Sequence, residues 1–518
     1  MNVADGLRLG AEKRPAKIAL RQGEVSFTYA QLNERVNRLA NGLLSLGVKI
    51  GTIVGVIPPS SYEHLECRFA LGRIGAVALP LDNHWGSGEV RRSLDHFDAE
   101  AAIFNQEKTD IFQGIKDSLP KLKGPLIRTG DPPPEGIIDY QELVEGSSPD
   151  EPSVSAGGDD AFLIGLSSGT TGLPKGALIS HGNMIARWQG QMEEMGFNEA
   201  DIFLNVTPMH HGGGRSFSMC HLFTGASLYI LGGRFDPRTT MEIIARERIT
   251  TCFMVPTMYH RILQMEDLKT FDTGSLRVLI TSGAPLHLSL LKRIVEEITP
   301  NLYNYYATVD GGGISLLKPG DILSRSESVG RALFNTEIKV VDDQGQEVPQ
   351  GTTGEVIYRG PGTAQSYYKN APATKECFRE GWFAPGDLAR RDEEGFLYIV
   401  GRKKDMIIRG GANIYPPEIE EVLSTHPAVD EAAVAGIPDE EYGEEIAAFL
   451  VLKPGRQVTP EEIVAFCKER LAPYKRPKVV KVLASLPKAS SGKVVKREVV
   501  ADYLKNRSSP TQKDEARP

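Results

Sequence analysis

Cysteine is scarce in this chain: five residues in 518, at Cys67, Cys220, Cys252, Cys377 and Cys467. They lie far apart, are odd in number and never form a CxxC pair. That excludes a disulfide framework or a thiolate zinc site and suits buried thiols in a reducing compartment. Positive charge is not in excess either: Lys+Arg number 59 against 67 Asp+Glu, a formal net charge of −8. A dedicated nucleic-acid binder is normally basic, so no nucleic-acid partner is expected and any bound phosphate must be met by a local site. No stretch approaches the roughly 18 uninterrupted apolar residues of a membrane span. The first residues, MNVADGLRLGAEKRPAK, carry charge throughout and lack the apolar core of a secretory signal. Neither end carries a lipidation motif, so the expected location is cytoplasmic. What is present is the mix of a soluble globular protein, 41% hydrophobic and 24% charged. The length suits about three domains and needs no covalent staples.

Leu32, Val36, Leu39 and Leu43 fall at helical spacing and Gly47 ends the run. Short apolar strands follow at Thr52–Ile57 and Gly75–Leu79. The alternation of helix and strand recurs at Ala161–Leu166, Ser227–Leu231, Thr251–Val255 and Val278–Thr281. This pattern predicts parallel sheet and an α/β body. From about Glu337 the texture changes to short strands and turns, at Glu337–Val341, Gly354–Tyr358 and Phe396–Val400, which predicts a barrel or small antiparallel sheet. After Gly401-Arg-Lys-Lys404 the chain becomes charged and turn-rich. A small α+β unit is expected there, with a helix near Pro417–Ser424, strands at Glu431–Ala435 and Ala447–Leu452, and a helix capped by Thr459, Pro460 and Glu462. The tail from Lys505 is polar and expected to be disordered.

The most informative stretch is Leu163-Ile-Gly-Leu-Ser-Ser-Gly-Thr-Thr-Gly-Leu-Pro-Lys-Gly-Ala177. Glycines let backbone N–H groups approach an anion, and successive N–H groups form phosphate nests. Ser167, Ser168, Thr170 and Thr171 add hydroxyls, Gly169 and Gly172 add freedom, and Lys175 adds charge. The spacing is not that of a Walker A loop. A solvated Gly/Ser linker would not usually be bracketed so closely by apolar runs.

The stretch SSGTTGLPKGA resembles the signature loop of the adenylate-forming (AMP-binding) superfamily, and the resemblance extends in family order along nearly the whole chain. It points to the acyl-CoA synthetase branch. The implied fold is a large N-terminal α/β domain of doubly wound sheets with a β-barrel-like subdomain, residues 1–403, and a small mobile α+β C-terminal domain, residues 404–505, with 506–518 a disordered tail. Pro208-Met-His-His211 resembles the motif whose histidine gates the acyl carboxylate, so His211 takes that role. Gly212-Gly-Gly214 then lines the acyl pocket, where missing side chains suggest room. Ser282-Gly-Ala-Pro-Leu286 resembles the turn beside adenine, with Gly283, Ala284 and Pro285. In Tyr303-Asn-Tyr-Tyr-Ala-Thr308, Tyr305 is implied to stack on adenine and Thr308 to lie near the α-phosphate. Val309 stands where the family has a magnesium-binding glutamate, and Asp310 is the substitute available. Gly381-Trp-Phe-Ala-Pro-Gly-Asp387 places Asp387 on the ribose hydroxyls. Arg402 matches the ribose and phosphate arginine, and Lys404 the hinge. Gly410 and Gly411 match the loop that lines the pantetheine tunnel. Leu486-Pro-Lys-Ala-Ser-Ser-Gly-Lys493 makes Lys493 the catalytic lysine.

The resemblance implies two half-reactions. A small carboxylic acid attacks the α-phosphate of ATP, with Mg²⁺ neutralising the triphosphate, and pyrophosphate leaves. The CoA thiol then displaces AMP after the C-terminal domain rotates about Lys404. Lys475, Arg476 and Lys478 are candidates for the CoA nucleotide, a solvated basic cluster being the other reading. Loading of a carrier protein and a non-catalytic nucleotide sensor remain alternatives. The acid itself stays open among fatty, aromatic and dicarboxylic classes, with Arg215 a candidate for a second carboxylate, and a homodimer is possible.

Overall fold

The computed structural model describes residues 1–154, 156–167, 174–488 and 494–508. The chain divides into two compact units, Met1–Lys339 with Ile357–Pro385, and Val340–Val356 with the chain from Gly386 onward.

The first unit is built on two sheets. Among the described residues the larger has nine strands, in the order Arg331–Ala332, Gly312–Leu317, Leu302–Thr308, Val278–Thr281, Thr251–Met254, Ile202–Asn205, Ser227–Ile230, Ile18–Gln22, Val25–Thr28. Its middle is parallel and both edges are antiparallel. The second has seven strands: Ile138–Asp139, Leu126–Thr129, Ala101–Asn105, Ile53–Val56, Val77–Pro80, Ala161–Ser167 and Lys175–Ser180. It too is parallel, except that the last two strands form an antiparallel pair. Parallel strands are covered on both faces, so they read as unbroken apolar runs. Ile53–Val56, Val77–Pro80, Thr251–Met254 and Val278–Thr281 are buried at every position. The helix Tyr29–Ser45 starts at a capping box of Thr28 and Gln31 and buries Leu32, Val36, Leu39 and Leu43, the four positions its periodicity marked.

In the second unit Asp387–Arg391 pairs antiparallel with Leu397–Arg402, and Gly354 and Glu355 pair with Ala389 and Leu388. These pairings tie residues 386–403 to the second unit, ahead of position 404 where the composition changes. A second sheet carries Ala412–Ile414, Ile407–Arg409, Gly443–Leu452 and Val429–Asp439, with Val479–Val482 parallel to Gly443–Leu452. One face packs Ile419, Leu423, Ile463 and Cys467 from two helices against Ile446, Ala448 and Leu450. The other packs Phe449 and Ala447 against Leu486 and Val499. Residues 506–508, expected to belong to the tail, complete the helix Lys496–Ser508, which Val499 and Tyr503 anchor to that face. Residues 509–518 lie outside the described ones.

No helix among the described residues is long and apolar enough to cross a membrane. The capping box at Thr459 forms as its sequence indicates: the hydroxyl accepts from the Glu462 N–H at 3.2 Å and the Glu462 carboxylate accepts from the Thr459 N–H at 2.8 Å. Thr459→Ala removes one of these and should cost about 1 kcal/mol of stability. Urea denaturation of the full chain measures this, with Thr459→Ser expected to stay within a few tenths of a kcal/mol of wild type; equal losses in both variants would show the cap to be unimportant.

Candidate active site

Four neighbouring parallel strands of the nine-stranded sheet end on one edge, at Asn205, Met254, Thr281 and Thr308. In open α/β sheets ligands bind beyond such carboxyl ends. Beyond Thr281 the chain turns at Gly283, whose φ of +91° suits glycine, and Gly283, Ala284 and Pro285 are exposed. Beyond Asn205 comes the loop to His211. Thr308 ends its own strand. Its hydroxyl lies 2.6 Å from the Tyr358 hydroxyl and accepts from the Gly311 N–H at 2.9 Å. Gly311 has no room for a side chain, because a Cβ there would collide with the Tyr358 ring.

In the smaller sheet Ser167 and Lys175 face each other across the antiparallel ladder. Ser168, Gly169, Thr170, Thr171 and Gly172 lie outside the described residues. The Lys175 strand is also held from its other side: Ala177 bridges Tyr367, and the Tyr368 N–H donates to the Gly176 carbonyl at 2.7 Å. This puts the Lys175 ammonium 5.3 Å from the Tyr367 ring centroid and 3.8 Å from the Cys377 sulfur. Burial pushes the Cys377 thiol up, so Lys175 meets a neutral sulfur.

The Ser167 hydroxyl donates to the Asp310 carboxylate at 3.4 Å. Asp310 is 7% exposed, and burial pushes its carboxyl up to about 6, against the pull of Arg187 and Ser167. Arg187 fixes this corner. It donates to the carbonyls of Val309 at 2.9 Å, Asp310 at 3.0 Å and Gly362 at 2.7 Å. Val309 packs on the Ala161–Ser167 strand; a Cβ at Gly165 would lie 2.8 Å from its Cγ1. Val309 therefore offers only methyl groups, while Asp310, one residue on, reaches the strand end where the phosphate stretch begins. A carboxylate and a hydroxyl are hard oxygen donors that fit Mg²⁺.

His211 precedes the helix Gly212–Thr224 as its N-cap residue without a side-chain cap. Its ring lies 4.2 Å from that of His210, centroid to centroid. His210 Nε2 is 3.5 Å from Asp82, which also bonds His84 at 2.9 Å. Burial, then His211, hold His210 down to about 3, so its ring is neutral at any working pH. The three glycines are not equivalent. A Cβ at Gly213 would enter the Phe253 ring, and one at Gly214 would meet the Pro208 carbonyl at 2.6 Å. Only Gly212 of the three has nothing within 4 Å of that position, so the space expected from three missing side chains reduces to one. Phe253, Phe217 and Tyr305 continue the wall, with centroids 5.1 and 5.7 Å apart. Tyr305 is 5% exposed, and its hydroxyl accepts from Gln191 at 3.4 Å.

In the second unit Asp387 and Arg402 stand opposite in register, and Arg402 Nε donates to Asp387 at 3.1 Å. Gly410 and Gly411 have φ of +56° and +84° and close the tight hairpin between Ile407–Arg409 and Ala412–Ile414, a turn that needs glycine whatever passes over it. Lys404 is exposed, in a short helical turn that runs from Lys403 to Asp405. The basic candidates for the CoA nucleotide are engaged. Lys475 bonds both Glu418 oxygens at 2.7 Å, Arg476 donates to two carbonyls and Lys478 lies 3.8 Å from Glu445. Lys493 lies outside the described residues.

Residues 7–368 match the AMP-binding enzyme family, and residues 418–493 match the AMP-binding enzyme C-terminal domain. The chain belongs to the AMP-binding enzyme family. It is 34% identical over 489 residues to a feruloyl-CoA synthase of an Amycolatopsis species, covering 94% of this chain and 96% of that one. It is 32% identical over 502 residues to an indoleacetate–CoA ligase of Aromatoleum aromaticum, covering 96% and 98%. The crystal structure of the anthranilate CoA ligase AuaEII in complex with anthranoyl-AMP superimposes with a TM-score of 0.91 at 27% identity, covering 98% of each chain. This member of the family is an AMP-forming acid–CoA ligase.

Several residues of this site carry no sequence signal of their own. Asp82 follows a parallel strand, which is a hint. Arg187 and Gln191 sit mid-helix, where only the fold brings them to the sheet edge. Asp310 yields a pH test. Its folded pKa, about 6, lies above the ordinary 3.8. Between those values the unfolded chain gives up a proton the folded chain keeps, so stability falls as pH rises through the window. Thermal melts should show wild type losing of the order of 1–3 kcal/mol relative to Asp310→Asn from pH 4 to pH 6, and no more above it. A gap that stays constant with pH would contradict the burial of this carboxylate.

Proposed function

We propose that the acid lies beside His211, over Gly212 and against the Phe253 and Phe217 rings, and that the phosphates of ATP lie over the Ser167–Lys175 stretch. The observation that carries this is the Ser167–Lys175 ladder with Asp310 at its end, next to the carboxyl ends that present the Gly283 turn, Thr308 and His211. A carboxylate cannot acylate a thiol directly, since oxide is a poor leaving group. One of its oxygens attacks the α-phosphorus, forming acyl-AMP and expelling pyrophosphate. The thiol of CoA then attacks the acyl carbonyl, and AMP leaves.

In this reading Ser168, Gly169, Thr170, Thr171, Gly172 and Lys175 hold the β- and γ-phosphates, and Thr308 the α-phosphate. Gly283, Ala284 and Pro285 border adenine, and Tyr305 stacks on it. Asp387 accepts from the ribose hydroxyls, and Arg402, already bonded to it, is poised for ribose and phosphate. Asp310 and Ser167 would hold Mg²⁺, which supplies charge neutralisation of the triphosphate. Gly410 and Gly411 border the thiol arm and Lys404 is the hinge, both on the resemblance of their motifs. The acid is ring-bearing. The aromatic wall supports this, and so do relatives named for feruloyl, indoleacetate and anthranilate acids. The free cysteines, four buried and one half-buried, support a reducing cytoplasm.

Lys493 supplies an ammonium group to the carboxylate and α-phosphate in the first step only. Lys493→Ala should reduce acid-dependent pyrophosphate release by at least about a hundredfold and leave CoA thioester formation from supplied acyl-AMP within a few fold of wild type. Equal losses in the two assays would remove this role.

A further inference from the structure

Part-buried arginines elsewhere in the protein have acids: Arg35 pairs with Glu66, Arg277 with Asp201 and Arg409 with Glu445. Of the buried ones, Arg73 lies 3.5 Å from Glu151, and Arg128 has no carboxylate but donates to the Thr109 hydroxyl and the Asp131 carbonyl. Arg187 lacks a carboxylate on its guanidinium but spends its donors on three carbonyls. Two others are different. Arg68, on the helix Tyr62–Ile74, is fully buried. Its Nε and Nη2 lie 3.3 and 3.1 Å from the Nε2 of His64, whose Nδ1 is 3.0 Å from the Pro58 carbonyl. That carbonyl fixes the tautomer, so a neutral imidazole is all Arg68 has. Its Nη1 has no partner among the described residues. Arg215, in the first turn of the helix after His211, is 3% exposed. Its Nη1 donates to the His210 carbonyl at 3.2 Å and its Nε has no partner among the described residues.

Each guanidinium is pulled down in proton affinity chiefly by burial, and then by a neighbouring cation: Arg215 acts on Arg68, and Arg187 on Arg215, which comes down to about 10. Asp82 lies 2.9 Å from His84 and 3.5 Å from His210. Asp82, His210 and His211 present donor atoms within 4.8 Å of one another, but a cation there would face the positive charge of Arg215. A buried, uncompensated arginine is costly, and two together more so. Such a pair suits an anion that arrives from outside. The nucleotide already has its own stretch, and the helix Tyr62–Ile74 bears none of the nucleotide motifs. Arg215 is only four residues beyond the histidine assigned to the reacting carboxylate.

We infer that Arg68 and Arg215 receive a second carboxylate on the acid, making this a ligase for dicarboxylic acids, one carboxylate adenylated at His211 and the other held between the two guanidinium groups. The inference deepens the proposed function and rests on it. A site built to pair a charged group rejects the analogue that lacks it far more strongly than an apolar pocket rejects a missing methylene.

The test is a panel of aryl and aliphatic diacids, each beside its own monomethyl ester, with the full-length protein, ATP, Mg²⁺ and CoA, scored by pyrophosphate release. At least one diacid should exceed its half-ester by about tenfold or more in kcat/KM. In Arg215→Met and Arg68→Met that ratio should fall toward one, and Arg215→Lys should restore part of it. A merely structural role would lower turnover of both acids together and leave the ratio alone. The inference is overturned if half-esters and simple monoacids serve as well as every diacid, or if the ratio survives in folded Met variants. If neither Met variant folds, the wild-type ratio decides alone. Absence of pyrophosphate release with every acid would instead sink the proposed function, and this inference with it.

Discussion

The antiparallel register that sets Ser167 opposite Lys175 is the constraint on which the rest of the site depends. A chain with a net charge of −8 has no general attraction for ATP. Donors and positive charge must be concentrated in one place and held there. The ladder does this from one side, and the Tyr367–Ala177 bridge does it from the other. Arg187 then nails the Val309–Asp310 turn to the same corner through backbone carbonyls, which leaves the Asp310 carboxylate available to Ser167.

Much of this was legible in the sequence because it is local. The capping boxes, the period of the Tyr29–Ser45 helix and the buried strands follow from side-chain spacing and need no knowledge of neighbours. The two strands that flank the glycine and hydroxyl stretch were legible because they are apolar runs, and they pair as an antiparallel ladder. Asp387 and Arg402 were each marked by motif, though their pairing comes from strand register. What escaped is non-local. The attachment of residues 386–403 to the second unit depends on pairing with Gly354 and Glu355, far away in sequence. The lost space at Gly213 depends on where the Phe253 ring lies. Likewise the glycines at 410 and 411 suit a thiol tunnel by resemblance, but the hairpin geometry alone requires them.

The distribution of arginines adds a second level of organisation. Some are tied to acids and serve the fold, as Arg277 and Arg409 do. Arg187 is tied to carbonyls and shapes the Val309–Asp310 corner. Arg68 and Arg215 are tied to a neutral ring and a single carbonyl. The same residue type thus does three jobs, separated by partner chemistry rather than by position in sequence. The first two are met within the chain; the third is the one we propose is met by substrate.

The central claim is that acid and ATP react first, without CoA, at the edge where the Ser167–Lys175 ladder meets the parallel strand ends. Exchange of labelled pyrophosphate into ATP measures that step alone. The account predicts exchange that requires both Mg²⁺ and a carboxylic acid and proceeds with no CoA present. An acid that yields its CoA thioester yet supports no exchange until CoA is added would contradict it.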